Sequence, residues 1–148
     1  MKPIRVLLVD DEIVFTNNMA RLLEHRGYVV SAVNSGDKAL DVIAERVFDV
    51  VVLDLKMPGL DGLATLREIR DTCHACQVLI LTGHGAVDSA FEAMRLGAYD
   101  YLTKPCEIAE MVEKIEDARA LMVEMQEGDL DERIERLVNA PPRDGEES

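Results

Sequence analysis

The sequence predicts an α/β fold: a five-stranded parallel sheet with helices on both sides, followed by a C-terminal helical extension. Five short apolar runs rich in β-branched residues alternate with five stretches in which apolar residues recur at helical spacing. The third run, Val50–Leu53, is unbroken, as expected for a strand buried on both faces. A chain of 148 residues is also long enough to form one modest hydrophobic core.

The elements follow one another regularly along the chain. Strands are predicted at residues 4–9, 29–33, 50–53, 78–81 and 99–103. Ser35 is a suitable N-cap for the second helix, and Gly97 can end the fourth. The apolar residues that mark the five helices are Phe15, Met19, Leu22 and Leu23; Leu40, Ile43, Ala44 and Val47; Leu63, Leu66 and Ile69; Val87, Ala90, Phe91 and Met94; and Ile108, Met111, Val112, Ile115, Ala118 and Met122.

The C-terminal region predicts a change of structure after the main domain, residues 1–122. The apolar rhythm of the last helix runs to Met125 and breaks at Gly128, and Asp129 with Glu132 then has capping-box spacing. Residues 123–139 are therefore expected to hold the end of the long helix, a glycine stop and a short amphipathic helix. Residues 140–148 are expected to be a disordered tail because they combine proline, glycine and glutamate.

Composition excludes several classes of protein. The net charge of −13 argues against direct binding of nucleic acid, which requires a clustered basic surface. No apolar run approaches the roughly 20 residues of a membrane helix, and no signal-peptide core follows Met1, so a cytoplasmic location is expected. Three cysteines in such a protein are expected to be reduced, and the Cys73–Cys76 segment lacks the second ligand pair of a zinc site.

Chemically active side chains follow the predicted strands. In parallel sheets, ligands bind beyond the carboxyl ends of the strands. If strands one and three are neighbours, Asp10, Asp11 and Asp54 converge there, and such a group needs a cation with oxygen preference, such as Mg²⁺. Lys104 and Thr82 end two further strands. A carboxylate nucleophile, a divalent cation, a lysine and a hydroxyl together predict an aspartyl phosphorylation site.

Four motifs in order resemble the receiver domains of response regulators, over roughly residues 4–122, and most of all those of the nitrogen-regulator type. They are LLVDDE, DLKMPGLDG beginning at Asp54, LTGHG and GAYDYLTKP. The resemblance implies a flavodoxin-like, doubly wound sheet with strand order 2-1-3-4-5. It also implies that Asp54 accepts a phosphoryl group from the phosphohistidine of a sensor histidine kinase.

The resemblance assigns roles to the other site residues. Mg²⁺ would be bound directly by Asp11, Asp54 and the backbone carbonyl of Lys56, with Asp10 acting through water. Lys104 would contact the phosphoryl oxygens, Thr82 would move toward them, Tyr101 would turn inward, and the Lys104–Pro105 bond would be cis. Lys56 and His84 would tune the lifetime of the phosphate, although both side chains could equally point to solvent.

The length of the chain bears on the output. Only about 26 residues follow residue 122, fewer than a second domain usually needs, so we expect a stand-alone regulator that is a monomer or a phosphorylation-linked dimer. Its partner would be a protein that binds the face formed by the fourth helix, fifth strand and fifth helix, or a histidine phosphotransfer protein. The alternatives are an aspartate-nucleophile phosphatase, which needs a second aspartate where Lys56 stands, and a phosphorylation-independent interaction module. We do not expect an enzyme beyond self-catalysed phosphotransfer and autodephosphorylation.

Overall fold

The computed structural model describes residues 2–56, 62–83 and 87–139, and these form an alternating α/β chain. The five predicted strands and the five helices that alternate with them are present, and the strand bounds differ from the prediction by a residue or two. The elements are β1 (Arg5–Val9), α1 (Ile13–His25), β2 (Val29–Val33), α2 (Gly36–Glu45), β3 (Val50–Asp54), α3 (Gly62–Thr72), β4 (Gln77–Thr82), α4 (Val87–Arg95), β5 (Asp100–Thr103) and α5 (Ile108–Asn139).

The five strands form one parallel sheet in the order β2-β1-β3-β4-β5, which confirms the predicted fold class. β1 lies between β2 and β3, and Val9 pairs with Leu53 across the β1–β3 boundary. β3 and β4 pair up to Asp54 and Leu81. Since all strands run in the same direction, the loops that carry the predicted site residues meet at one edge of the sheet.

The core has two parts, one on each face of the sheet, because side chains alternate along each strand. In β3, Val51 and Leu53 pack with residues of α2, α3 and α4. Val50 and Val52 point to the opposite face and pack with residues of α1 and α5. The central strands β3 and β4 are buried throughout, which explains their unbroken apolar runs.

Two predicted helix boundaries are confirmed. The Ser35 side chain accepts a hydrogen bond from the backbone N–H of Lys38 at 3.2 Å and caps α2. Gly97 follows α4 with φ +102°, a left-handed conformation that glycine adopts without steric cost.

The predicted apolar face of α4 is wrong in part. Ala90 and Ala93 are buried against the sheet, whereas Phe91 is 58% exposed and Met94 is 37% exposed. The helix packs closely through its alanines, so its larger apolar side chains lie on the outer surface. Val47, predicted as one of the apolar residues of the second helix, lies beyond the end of α2 and is exposed.

The predicted stop at Gly128 is also wrong. α5 is one continuous helix of 32 residues from Ile108 to Asn139. A glycine in a helix interior costs only about 1 kcal/mol relative to alanine, which does not suffice to break a long helix. Up to Met122 the helix packs on the sheet, and beyond it Leu130, Ile134 and Leu137 are exposed. The predicted tail, residues 140–148, lies outside the described residues, and none of the described helices has the length and hydrophobicity to span a membrane.

Candidate phosphoacceptor and metal site

Two buried aspartates lie side by side at the carboxyl edge of the sheet. Asp10 directly follows β1, Asp54 is the last residue of β3, and the two residues are 1% and 4% exposed. The backbone around Asp10 is held from β2, because its N–H donates to the carbonyl of Val33 and its carbonyl accepts from the Asn34 side chain at 2.8 Å. Sheet pairing therefore places two acids together in a buried position.

Each aspartate uses one carboxylate oxygen to order its own loop. Oδ1 of Asp10 accepts from the backbone N–H of Glu12 at 3.0 Å, and Oδ1 of Asp54 accepts from that of Lys56 at 3.0 Å. A hydrogen bond from the backbone N–H two residues later to the aspartate side chain is typical of aspartate in turns. They leave Oδ2 of both aspartates directed toward Lys104.

Lys104 joins the acidic cluster from the end of β5. Its Nζ lies 2.6 Å from Oδ2 of Asp10, 2.9 Å from Oε1 of Glu12 and 3.4 Å from Oδ2 of Asp54. The ammonium group also lies 4.7 Å from the centroid of the Phe15 ring. One cation thus connects the ends of β1, β3 and β5 with α1, as the sequence predicted for Asp10, Asp54 and Lys104.

The charges of this cluster depend on one another. Burial raises the pKa of Asp10, and the neighbouring charge of Asp54 raises it further, although the ion pair with Lys104 opposes both effects. Burial alone lowers the pKa of Lys104, but its contacts with Asp10 and Glu12 and the charge of Asp54 outweigh burial and raise it. Lys104 therefore offsets only part of the unfavourable charge of Asp10.

Carboxylate oxygens of Asp10, Glu12 and Asp54 lie within 4.8 Å of one another and could hold a metal ion. Oδ2 of Asp10 is buried, and the Lys104 ammonium group lies 2.6 Å from it, so a metal ion at this oxygen would compete with the lysine. Oxygen ligands with excess negative charge suit Mg²⁺. Asp11, expected as a direct ligand, is exposed and lies outside this group, so its role and that of the Lys56 carbonyl stay predictions.

The predicted switch residues Thr82 and Tyr101 lie on β4 and β5. Thr82 is buried, and its hydroxyl donates to the carbonyl of Leu102 at 3.5 Å. Tyr101 is 42% exposed and points outward. The Lys104–Pro105 peptide bond is cis, as expected. His84 lies outside the described residues.

Glycines keep the backbone close to the site. A Cβ on Gly62 would lie 2.5 Å from the Cα and carbonyl oxygen of Leu55, so only glycine allows α3 to begin directly against the residue after Asp54. A Cβ on Gly83 would lie 3.2 Å from Nζ of Lys56, which shows that the Lys56 side chain extends alongside Gly83. The Lys56 ammonium group therefore lies over the end of β4.

Two residues of this site, Glu12 and Phe15, were not predicted from the sequence. Glu12 is the third acid of the segment Asp10–Glu12, three positions after β1, and was given no role beyond its place in the motif LLVDDE. Phe15 was predicted only as one of the apolar residues that mark the first helix. The extra acid was a usable signal, whereas the Phe15 contact depends on how α1 lies against the end of β5.

The sequence and fold are similar to those of response regulators. A sequence model of the response regulator receiver domain matches residues 6–116. The chain is 43% identical over 117 residues to the transcriptional regulatory protein ZraR of Escherichia coli O157:H7, covering 79% of this chain and 26% of ZraR. It therefore spans about a quarter of the length of that relative.

Solved structures show the same similarity. The crystal structure of NtrX from Brucella abortus in complex with ADP superposes with a TM-score of 0.82 and 32% identity, covering 86% of this chain and 29% of NtrX. A response regulator receiver domain protein from Clostridium thermocellum superposes with a TM-score of 0.79 and 36% identity, covering 82% of this chain and 98% of that one. Together with the sequence match, these similarities show that the chain belongs to the response regulator receiver domain family.

Proposed function

We propose that Asp54 is the phosphoacceptor of this receiver domain and takes its phosphoryl group from the phosphohistidine of a sensor histidine kinase. The observation that carries the proposal is the position of the Asp54 carboxylate. Oδ1 is held by the Lys56 N–H, and Oδ2 faces Lys104 at 3.4 Å next to the acids Asp10 and Glu12. A carboxylate held in this way has an oriented oxygen beside a cation and a metal-binding group.

In the proposed reaction, an Asp54 oxygen attacks phosphorus and forms an acyl phosphate. The phosphorus–nitrogen bond to the donor histidine breaks, and its electron pair stays on the imidazole. Mg²⁺, held by carboxylates of the cluster, would supply positive charge that offsets the phosphoryl oxygens. Lys104 would transfer its ammonium contact from the Asp54 carboxylate to a phosphoryl oxygen, because the new group adds roughly −2 charge.

The change in charge would act on Thr82 and Tyr101. The Thr82 hydroxyl makes a long hydrogen bond of 3.5 Å to the Leu102 carbonyl, so its rotation toward the phosphoryl group would cost little. Such a rotation would vacate space beside β5, into which the exposed Tyr101 ring could turn. Moving a two-state equilibrium from 1:99 to 99:1 takes about 5.5 kcal/mol, which several charge-assisted contacts in a buried site can supply.

We further propose that the output surface is the face formed by α4, β5 and α5, and that a protein partner binds it. The exposed side chains of Phe91, Met94 and Tyr101 support this assignment, because α4 buries its alanines and presents its larger apolar residues to solvent. Relay of the phosphoryl group to a histidine phosphotransfer protein is the alternative output. The net charge of −13 argues against direct binding of nucleic acid by this chain.

The remaining assignments belong to the same proposal. The protein would work in the cytoplasm, as a monomer or a phosphorylation-linked dimer. It would not act as an enzyme beyond transfer to, and loss from, its own aspartate. A phosphatase that uses an aspartate nucleophile needs a second acid two residues later, and Lys56 occupies that position. Lys56 and His84 would instead tune phosphate lifetime, and the position of Lys56 over Gly83 supports this for Lys56.

The test is covalent labelling with a small phosphodonor, such as acetyl phosphate, in the presence of Mg²⁺. Intact-mass analysis should show one phosphoryl group per wild-type chain and none on Asp54→Asn. Asp49→Asn is a matched control, since Asp49 precedes the opposite end of β3 and accepts a hydrogen bond from the Arg5 N–H that asparagine can retain. Equal labelling of wild type and Asp54→Asn, or of neither, would contradict the proposal. Steady turnover of a phosphomonoester would favour the phosphatase instead.

A further inference from the structure

Two cysteines lie together in the turn between α3 and β4, at the edge of the sheet opposite to Asp54. The Cys73 N–H donates to the carbonyl of Ile69 at 2.7 Å, which continues the last turn of α3, and Cys76 directly precedes β4. Cys73 is half-buried, whereas Cys76 is fully buried. Cys73 is thus the more solvent-exposed member of the pair.

Contacts within the turn bring the two side chains together. The Cys76 thiol donates to the carbonyl of Cys73 at 3.3 Å, so its sulfur is turned back toward α3. Arg70 fixes the other side of the turn, because its Nη1 donates to the carbonyl of Cys76 at 2.7 Å. The two residues between the cysteines therefore form a tight turn closed by hydrogen bonds from two side chains.

The charge state of the pair is asymmetric. A hydrogen bond from Cys76 lowers the pKa of Cys73 despite its partial burial, and the charge of Arg70 contributes in the same direction. The same contact and burial raise the pKa of Cys76. Cys106, the third cysteine, is a useful comparison: burial and the charges of Glu110 and Glu107 raise its pKa to about 11.

We propose that Cys73 and Cys76 form a redox-sensitive dithiol that a peroxide oxidises to an intramolecular disulfide. The Cys73 thiolate attacks one peroxide oxygen, the O–O bond breaks, and Cys73 becomes a sulfenic acid as hydroxide leaves and takes up a proton. The Cys76 sulfur then attacks the Cys73 sulfur, the S–O bond breaks, and the hydroxyl group leaves as water with the thiol proton. Two thiols and one peroxide thus yield one disulfide and, for hydrogen peroxide, two waters.

This dithiol is a second input to the domain and does not depend on the role of Asp54. Arg70 connects it to α4, because a Cβ on Gly97, just after that helix, would lie 3.2 Å from Nε of Arg70. Arg70 donates a hydrogen bond to the Cys76 carbonyl in this turn, and closing the disulfide would change the conformation of the turn. The modified segment therefore lies next to the C-terminal end of the helix that presents Phe91 and Met94.

The test uses the full reduced chain, treated with a small excess of hydrogen peroxide and digested with trypsin. No lysine or arginine lies between Arg70 and Arg95, so both cysteines fall in one peptide, residues 71–95. We expect this peptide to lose the mass of two hydrogen atoms in wild type and in Cys106→Ser. Cys76→Ser should stop at a sulfenic acid on Cys73 that dimedone traps, and Cys73→Ser should show neither product.

A second measurement needs no variant. At pH 7, iodoacetamide should alkylate Cys73 of the reduced wild-type protein at least tenfold faster than Cys106. Equal alkylation rates, an unchanged mass of peptide 71–95 after peroxide, or a disulfide that includes Cys106 would each overturn the proposal. Circular dichroism of each variant establishes that it is folded before its thiols are compared.

Discussion

The ammonium group of Lys104 lies 4.7 Å from the centroid of the Phe15 ring, and the same group forms an ion pair with Asp10. The aromatic ring comes from α1 and the lysine from the end of β5, so this contact joins two elements that are distant in sequence. A ring face attracts a cation while excluding water from it. Phe15 therefore helps to hold Lys104 in place.

Phe15→Leu should lower the free energy of unfolding by about 1 kcal/mol, since a partly exposed cation–π contact is worth about 0.5–1 kcal/mol and some ring packing is also lost. Urea denaturation measures this change. The same substitution made in Lys104→Met should have a smaller effect, because the cation is absent. Identical effects in both backgrounds would show that Phe15 acts only through packing.

Lys104→Met should strengthen binding of Mg²⁺ roughly tenfold while reducing the labelling of Asp54. The Lys104 ammonium group lies among the carboxylates that would hold the metal ion, so the lysine and the ion compete for the same negative charge. Two unit charges ~4 Å apart interact by about 4 kcal/mol at an effective dielectric constant of 20, which is large enough for removal of the lysine to change the affinity for Mg²⁺. Titration calorimetry with Mg²⁺ measures the affinity. Lys114→Met is the control, because Lys114 pairs with Asp100 instead. Weaker binding in Lys104→Met alone would contradict a competition between lysine and metal.

Gly62→Ala should destabilise the protein by at least about 2 kcal/mol, because the new methyl group would overlap the Leu55 backbone at 2.5 Å. Thermal denaturation detects the loss. Gly83→Ala meets only the flexible end of Lys56 at 3.2 Å and should change stability by no more than about 0.5 kcal/mol. Similar stability in both variants would show that α3 can shift away from Leu55.

Tyr28→Phe should alter the pH dependence of stability in alkaline solution. Burial and a hydrogen bond to Glu116 raise the pKa of Tyr28 above its ordinary value, so the folded protein keeps this proton more tightly than the unfolded chain. Its contribution is complete below about pH 10 and is lost as the pH rises through the folded-state pKa. The variant should be less stable by about 1–2 kcal/mol at pH 8.

Urea denaturation between pH 8 and 11 measures this difference. Wild type and Tyr28→Phe should converge as the pH rises, since only wild type loses the tyrosine contribution. Tyr99→Phe provides the control for tyrosine ionisation elsewhere in the chain. A constant gap between wild type and Tyr28→Phe across this range would show that the hydroxyl group does not titrate differently in the two states.

Gly128→Ala should increase the helicity of the last part of α5, because alanine favours a helix interior by about 1 kcal/mol and nothing lies within 4 Å of the added methyl group. Hydrogen exchange of residues 123–139 measures the protection. Gly27→Ala is the contrasting control: Gly27 has φ +93°, so alanine should destabilise the protein there. Reduced protection in Gly128→Ala would indicate a helix break at this position.

The sequence by itself determined the order of strands and helices along the chain and two of the helix boundaries, at Ser35 and Gly97. Side-chain alternation and helical spacing are local patterns, and an unbroken apolar run such as Val50–Leu53 has few structural interpretations. The rule that parallel strands present their carboxyl ends at one edge, combined with the strand order that the resemblance to receiver domains implied, then placed Asp10, Asp54 and Lys104 together. Those predictions needed no knowledge of how any helix packs.

Only the tertiary structure decided how each helix turns toward the sheet and which side chains meet. Spacing alone suggested that Phe91 faces the core, yet close packing of Ala90 and Ala93 turned it outward. Glu12 and Phe15 join Lys104 because α1 lies against the end of β5, a contact between residues about 90 positions apart. Contacts of this kind depend on the three-dimensional arrangement of whole elements, which local periodicity does not contain.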